Sequence, residues 1–223
     1  MGFSAAFPGV HQLIITGGSG GLGQAILRAF RPPAWRGDAP THRALDVTDA
    51  EAVESYLTER PVDLLICGAG IIHDAPLLRH SENAWDEVIA TNFDAAAHCA
   101  SAVLPQMRRQ GHGHIVFISS YSALHPPLGQ VAYATAKAGL LGLTAGLARK
   151  HGSHGIRVNA VLPGFLDTPM TVGLSDKRKA SVLEDHALGR LNTPRAVANF
   201  IRCLHEDLTH TSGQAFQLDS RSA

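Results

Sequence analysis

Tyr133 and Lys137 stand four residues apart at the start of a helical stretch, a spacing that puts a phenol and an ammonium on one helix face. Such a pair is an acid/base device. A nearby cation favours phenolate and draws a group that titrates near about 10 toward the working range of a general acid or base. Ser120 ends the strand pattern HIVFISS one loop earlier, where its hydroxyl can hold the same substrate oxygen. Ser119, Ser120 and Ser122 can instead satisfy backbone groups in a turn. Strand alternation turns Ser119 to the other face, which leaves Ser120 as the candidate. Asn92, in Ala-Thr-Asn-Phe-Asp, falls inside a helical stretch although Asn competes there for backbone hydrogen bonds. A functional distortion explains it, and an exposed helical Asn is the plainer alternative. The chemistry these four suit is proton exchange with a carbonyl or alcohol oxygen.

A second set of residues suits phosphate. Residues 16–23 read Thr-Gly-Gly-Ser-Gly-Gly-Leu-Gly, after a strand and before a helix, the context that makes a glycine pattern informative. Gly17 allows a sharp turn, Gly21 lets backbone N–H groups approach a pyrophosphate, and Gly23 lets the helix pack on the sheet. Thr16, Ser19 and Leu22 complete the loop, with phosphate at the positive helix end. A flexible turn is the plainer explanation of the same glycines. In Leu45-Asp46-Val47-Thr48-Asp49, Thr48 or Asp49 caps a helix, while Asp46, with Val47 beside it, is placed to accept from an adenine amino group. Cys67-Gly68-Ala69-Gly70 permits close passage of a ribose or simply a tight strand exit.

These groups need a scaffold that brings distant segments to one edge. Strand patterns at 12–16, 63–67, 114–119, 157–162 and 214–218 alternate with helical patterns near 21–31, 49–59, 82–109, 129–151 and 193–206. The alternation predicts one α/β domain over residues 1–223, a Rossmann-like doubly wound parallel sheet with helices on both faces. Pro105 is expected to bend the third helix. Residues 31–45, with Pro32, Pro33, Trp35, Gly37 and Pro40, leave room for one short strand ending at Thr41-His42-Arg43, so the fold is shortened after its second strand.

Composition excludes several alternatives. Nineteen basic and 19 acidic residues give a formal charge of +0, with no excess to hold nucleic acid or anionic lipid. Cys67, Cys99 and Cys203 are odd in number and widely spaced, which implies a reducing, cytoplasmic setting. No basic region precedes the first apolar residues, and no uninterrupted apolar run reaches the roughly 18 residues of a membrane span. Among the 13 histidines, His112-x-His114 and His151-x-x-His154 invite a metal, yet no Cys or carboxylate completes a set and surface loops explain them better. No metal is expected.

From about Gln12 to Leu218 the chain resembles the short-chain dehydrogenase/reductase family. Its Thr-Gly-x-x-x-Gly-x-Gly loop is matched by Thr16, Gly17, Gly21 and Gly23, its adenine-contacting Asp by Asp46, and its Asn-Ser-Tyr-Lys tetrad by Asn92, Ser120, Tyr133 and Lys137. Pro163-Gly164-Phe165-Leu166-Asp167-Thr168 resembles the segment whose backbone and Thr hydroxyl, here Thr168, hold the nicotinamide carboxamide. The resemblance implies an NAD(P)(H)-dependent oxidoreductase acting on a carbonyl/secondary alcohol pair. It also implies that Tyr133 exchanges the proton, Lys137 binds the nicotinamide ribose and lowers the Tyr133 pKa, Ser120 orients the carbonyl, and Asn92 holds a relay water. Three departures stand out: Cys67 and Gly68 replace two Asn, a helix is deleted after the second strand, and Leu218-Asp219-Ser220-Arg221 replaces Asp-Gly-Gly.

Within the family, GIRVNAVLPGF and HALGRLNTPRAVANFIRCL are similar to bacterial 3-oxoacyl-ACP reductases and to related sugar-alcohol and secondary-alcohol enzymes. Reduction of a 3-oxoacyl thioester is therefore one candidate reaction. The arginines that dock acyl carrier protein in those reductases fall at Gly111 and His154, which argues for a free small-molecule substrate unless Arg108 and Arg109 compensate. A dinucleotide-binding regulator is the rival from another class, and it would be expected to have lost Tyr133 or Lys137. At the second strand's end an acidic residue binds a ribose 2′-OH and a basic one a 2′-phosphate. Arg43 at that end favours NADP(H), with NAD(H) also accepted. Gly20, where many NADP(H)-binding relatives carry a basic residue, and Asp38, if the strand stops earlier, count the other way. Leu124, Pro126, Leu128, Phe165, Met170 and Leu174 suggest an apolar pocket wall. Ala134, Ala136, Ala138, Gly139, Gly142, Ala145 and Gly146 suit a homodimer or homotetramer through this helix and that of Asn92, as is common in the family.

Overall fold

The computed structural model describes residues 9–58, 60–166 and 176–221. His11–Thr16 (β1), Trp35–Asp38 (β2), Leu64–Cys67 (β3), Gly113–Ile118 (β4), Ile156–Leu162 (β5) and Ala215–Gln217 (β6) pair in parallel in the order β2-β1-β3-β4-β5-β6. The helices are Gly21–Ala29 (α1), Ala50–Thr58 (α2), Glu82–Ile89 (α3), Ala95–Gln110 (α4), Val131–His151 (α5), Asp176–Glu184 (α6) and Pro194–Glu206 (α7).

Strand side chains alternate between two separate apolar cores, one on each face of the sheet. Ile14, Leu65, Ile115, Phe117 and Val158 meet Val53 and Leu57 of α2, Val103 and Met107 of α4, and Leu140 of α5. Leu13, Ile15, Leu64, Ile66, Val116 and Val161 meet Ile26 of α1 and Val197, Ile201 and Leu204 of α7. A parallel sheet covered on both faces needs apolar residues at every strand position, and β3 reads LLIC with all four buried. The expected doubly wound sheet is present. Between β1 and β3 the strand order reverses direction, and the crevice above their carboxyl ends is where such sheets bind ligands.

Four sequence expectations need correction. The helix expected over 82–109 is interrupted by a π turn at Ala90–Asp94, and Pro105 lies inside α4. The second strand ends at Asp38, short of Thr41-His42-Arg43. Trp35 is buried against Phe30 and His205, register runs from His11↔Trp35 to Ile14↔Asp38, and Pro40 has no N–H with which to extend the ladder. Thr41 O then accepts from Ala44 N and Leu45 N in a turn, and among the described residues no helix separates β2 from α2. α6 stands outside the expected helices, because its sequence DKRKASVLE carries no regular apolar stripe. Finally, His114 is no surface histidine. It is buried in β4, stacked on His205 and hydrogen-bonded to Asn159.

Residues Val131–His154 are long and apolar enough to cross a membrane by length and composition. In the fold about a third of this window is buried within the protein, Ala132, Ala134, Ala136, Lys137, Leu140 and Thr144 among the buried residues.

Candidate active site

At the carboxyl end of β1 the chain turns at Gly17 with φ +70°. A Cβ there would lie 2.7 Å from Ala69 N and from Gly68 O, and one on Gly23 would lie 2.7 Å from Gly18 O. The loop thus folds against its own backbone and the Gly68–Gly70 strand exit, which only glycine permits. α1 follows with Gly20 as N-cap, no side-chain cap and no acidic residue in its first turn. Its leading N–H groups and positive dipole end are left for an anion.

A cavity of about 1560 Å³ opens above this edge. Thr16, Gly17, Ser19, Gly21, Leu22 and Gly23 line it, as do Gly68, Gly70, Pro163, Gly164 and all four expected catalytic residues. The volume exceeds the several hundred Å³ that suffice for one small ligand, leaving room for a dinucleotide and a substrate. Other expected cofactor residues lie elsewhere. Val47 packs on the core, and Ala69 contributes backbone behind Gly17. Arg43 is exposed in the turn after β2. Asp46 Oδ1 accepts from Thr48 Oγ1 (2.7 Å) and Thr48 N (2.9 Å), bonds that hold its carboxyl below the usual range. The carboxyl end of β2 holds a cluster instead. Asp38 Oδ2 accepts from Tyr56 OH (2.7 Å) and Arg60 Nη1 (2.5 Å), and the Arg60 guanidinium lies over the Tyr56 ring. Thr168, Met170 and Leu174 lie outside the described residues, whereas Leu124, Pro126, Leu128 and Phe165 do line the cavity.

The π turn carries Asn92 and bends its side chain inward. Asn92 Nδ2 donates to Ile71 O and Val88 O, both at 2.9 Å. Its Oδ1 is buried with no hydrogen-bond partner among the described residues. A Cβ on Gly70 would approach Asn92 Oδ1 to 2.5 Å and Lys137 Nζ to 3.5 Å, so a glycine at this position keeps the two groups together. Lys137 Nζ donates to Ile118 O at 3.0 Å, and burial pushes its ammonium down to about 8. Ser119 also borders the cavity, but its Oγ is engaged, donating to Lys137 O at 2.8 Å. Ser120 lines the cavity beside Tyr133 and accepts from Ser122 N at 3.1 Å.

The expected lowering of Tyr133 by Lys137 is absent. Burial pushes the phenol above its ordinary value, Ser120 opposes that, and the Asp74 carboxylate adds to it. The ammonium is spent on Ile118 O and lies 5.7 Å from the ring centroid. Other groups around this end carry no motif in the sequence. Ser122 Oγ donates to Gln130 Oε1 (2.9 Å) and Gln130 Nε2 to Asp74 Oδ2 (3.0 Å), tying the loop after β3 to the start of α5. Asn192 Nδ2 donates to Pro163 O (2.9 Å) and Leu218 O (2.7 Å), fixing the Pro163-Gly164 loop to the carboxyl-terminal tail. The unusual tail sequence at Leu218–Arg221 is the one available signal for this last contact.

A family model described as short chain dehydrogenase matches residues 34–179. The chain belongs to that family. Among relatives of this short chain dehydrogenase, the 3-oxoacyl-[acyl-carrier-protein] reductase of Escherichia coli (strain K12) is 35% identical over 217 residues, 87% of this chain and 89% of the relative. That of Chlamydia muridarum is 34% identical, covering 94% and 96% of the two chains. A crystal structure of a putative NAD(P) dependent gluconate 5-dehydrogenase from Beutenbergia cavernae, with bound NADP, superposes with a TM-score of 0.90 at 28% identity over 96% of each chain. As a short chain dehydrogenase the protein is an NAD(P)-dependent oxidoreductase acting on a carbonyl/alcohol pair. Its own residues fit that cofactor: the uncapped α1 terminus, the glycine cradle that a Cβ would fill, and the orphaned Asn92 Oδ1 beside Lys137.

Proposed function

We propose that this enzyme reduces a carbonyl group on a free small molecule, with Tyr133 as proton donor and NADP(H) as the preferred cofactor. The observation that carries the reading is the cavity-facing convergence of Tyr133, Ser120, Lys137 and Asn92, with the phenol held in its protonated form. A protonated phenol is the competent partner for reduction, because the carbonyl oxygen must gain a proton as the carbon gains a hydride. The bound nicotinamide supplies that hydride. Ser120 holds the substrate oxygen against Tyr133, and Tyr133 O–H delivers its proton there. Lys137 Nζ, a short reach from Asn92 and Gly70, holds the nicotinamide ribose. The unpartnered Asn92 Oδ1 accepts from a water that returns a proton to Tyr133. Thr16, Ser19, Leu22 and the glycines of the loop take the pyrophosphate, Gly68, Ala69 and Gly70 border the adenosine ribose, and Pro163, Gly164 and Thr168 hold the carboxamide. Asp46 and Val47 border the adenine.

The names of the curated relatives favour a second reading, a carrier-bound 3-oxoacyl thioester. Gly111, a left-handed helix cap, and His154 stand where docking arginines would be needed, and this weighs toward the free substrate. The test is NADPH and NADH oxidation over diketones, oxo acids, 3-oxoacyl thioesters with and without carrier protein, ketoses and quinones. Turnover of free carbonyls is expected, and activity confined to the carrier-bound thioester would reverse the order of the two readings.

A further inference from the structure

The carboxyl-terminal tail puts a guanidinium into the cavity wall. Arg221 lines the cavity with its side chain 11% exposed, and it lies flat over the Tyr121 ring, 3.5 Å from the centroid. Tyr121 directly follows Ser120 and stacks in turn on His125, so this cation stands on the substrate-oxygen side of the cavity. Its placement is fixed from three directions. Nε and Nη2 donate to Asp219 Oδ2 at 2.7 and 2.5 Å, and Asp219, whose side chain is fully buried, also accepts from Gln217 Nε2 at 3.1 Å and packs on Gly164. The backbone of Arg221 bridges antiparallel to His186, and Ala187 N donates to Ser220 O at 2.9 Å. Nη1 has no hydrogen-bond partner among the described residues.

We infer that Arg221 is a specificity-determining residue that receives a carboxylate of the substrate, which makes the substrate a short oxo acid, or the hydroxy acid in the reverse direction. A guanidinium in a cavity wall, pre-set by stacking and by a buried carboxylate and with one nitrogen outside that ion pair, is an arrangement that binds a planar carboxylate without first having to be ordered. An ion pair with Asp219 that served structure alone would need no nitrogen left outside it. Asp74 and Asp185 line the same cavity, the former engaged by Gln130. Their charge repels an anion bound anywhere else, so acid selectivity depends on Arg221. The inference rests on the reading of Ser120 and Tyr133 as the end where the carbonyl binds.

The test uses the full chain with NADPH and a set of short oxo acids, the carbonyl walked along the chain, each beside its methyl ester. Wild type is expected to prefer an acid over its ester. Arg221→Ala should raise KM for the acid by about tenfold or more, leave kcat/KM for the ester nearly unchanged, and leave NADPH affinity by nicotinamide fluorescence unaltered. Arg221→Lys should restore part of the loss. Calorimetric binding of the same acids and esters to the Tyr133→Phe variant reads the contact without turnover. Acid-selective binding there that Arg221→Ala removes would uphold the inference even if no carbonyl were reduced. Equal loss for acid and ester, or no acid preference in either assay, would overturn it.

Discussion

Tyr133 sits under opposed influences, burial and Asp74 raising its pKa and Ser120 lowering it, and the outcome is a phenol that keeps its proton at neutral pH. Tyr133→Phe removes only that proton. Turnover should fall below about a tenth of wild type, with dinucleotide affinity within a few fold. Retained turnover would exclude Tyr133 as the donor. Lys137 titrates near 8, because burial disfavours its charge. The ammonium is present below that value and lost above it, so NADP(H) affinity measured by fluorescence should weaken as pH climbs through 8, and Lys137→Ala should be weak and flat across the same range. The identities and order of these residues were legible, since spacing and strand alternation are properties of the chain itself. The sign of the Tyr133 shift was not, because it depends on how deeply Tyr133 and Lys137 are packed and on Ile118 O capturing the ammonium.

At the scale of elements, strands buried on both faces were readable as short apolar runs, while the two places lacking such a pattern, the end of β2 and the whole of α6, were not. Moving the end of β2 to Asp38 changes the basis of cofactor choice. An unaccompanied carboxylate there would repel a 2′-phosphate, but Asp38 is paired with Arg60, and Arg43 lies in the turn that follows. NADPH should therefore exceed NADH in kcat/KM by about tenfold, equivalent to roughly 1.4 kcal/mol. Arg60→Ala should erase most of that margin by freeing Asp38, Arg43→Ala should erase part of it, and Asp38→Asn should widen it. A wild-type preference for NADH would overturn the assignment. The π turn was foreshadowed by an Asn in a helical pattern, and its cause became visible only with Ile71 O and Val88 O around the side chain.

Taken whole, the molecule has a small-residue surface on α5 that divides in two. Ala132, Ala134 and Ala136 are buried, while Cβ atoms added at Gly142 and Gly146 would meet nothing within 4 Å. That outward face fits close helix contact with a second copy, and light scattering at micromolar concentration should report a dimer or tetramer. A monomer would refute it. On the edge of the sheet away from the cavity, His114 and His205 stack with Nδ1 atoms 3.2 Å apart. Burial, with Arg157 close by, pushes both down, His205 to about 3. The unfolded chain takes up protons below the ordinary histidine value of about 6.5 that the folded pair refuses, so stability falls as pH drops through that value. Each such histidine contributes up to about 1.4 kcal/mol per pH unit. Urea unfolding at mildly acid and neutral pH measures the slope, and His205→Gln should flatten it.

The sheet's five pairings are all parallel, and none joins strands through a hairpin. Two adjacent parallel strands meet only after an intervening crossover has been traversed, so no pair can form as a local nucleus. The last pairing, β5 with β6, closes Asn159 to Gln214 across a long stretch of intervening chain. Renaturation is then limited by a search over distant segments, in milliseconds to seconds or longer, with unpaired strand edges exposed meanwhile. Yield from refolding should rise as the chain is diluted, because bimolecular capture of those edges competes with their intramolecular closure.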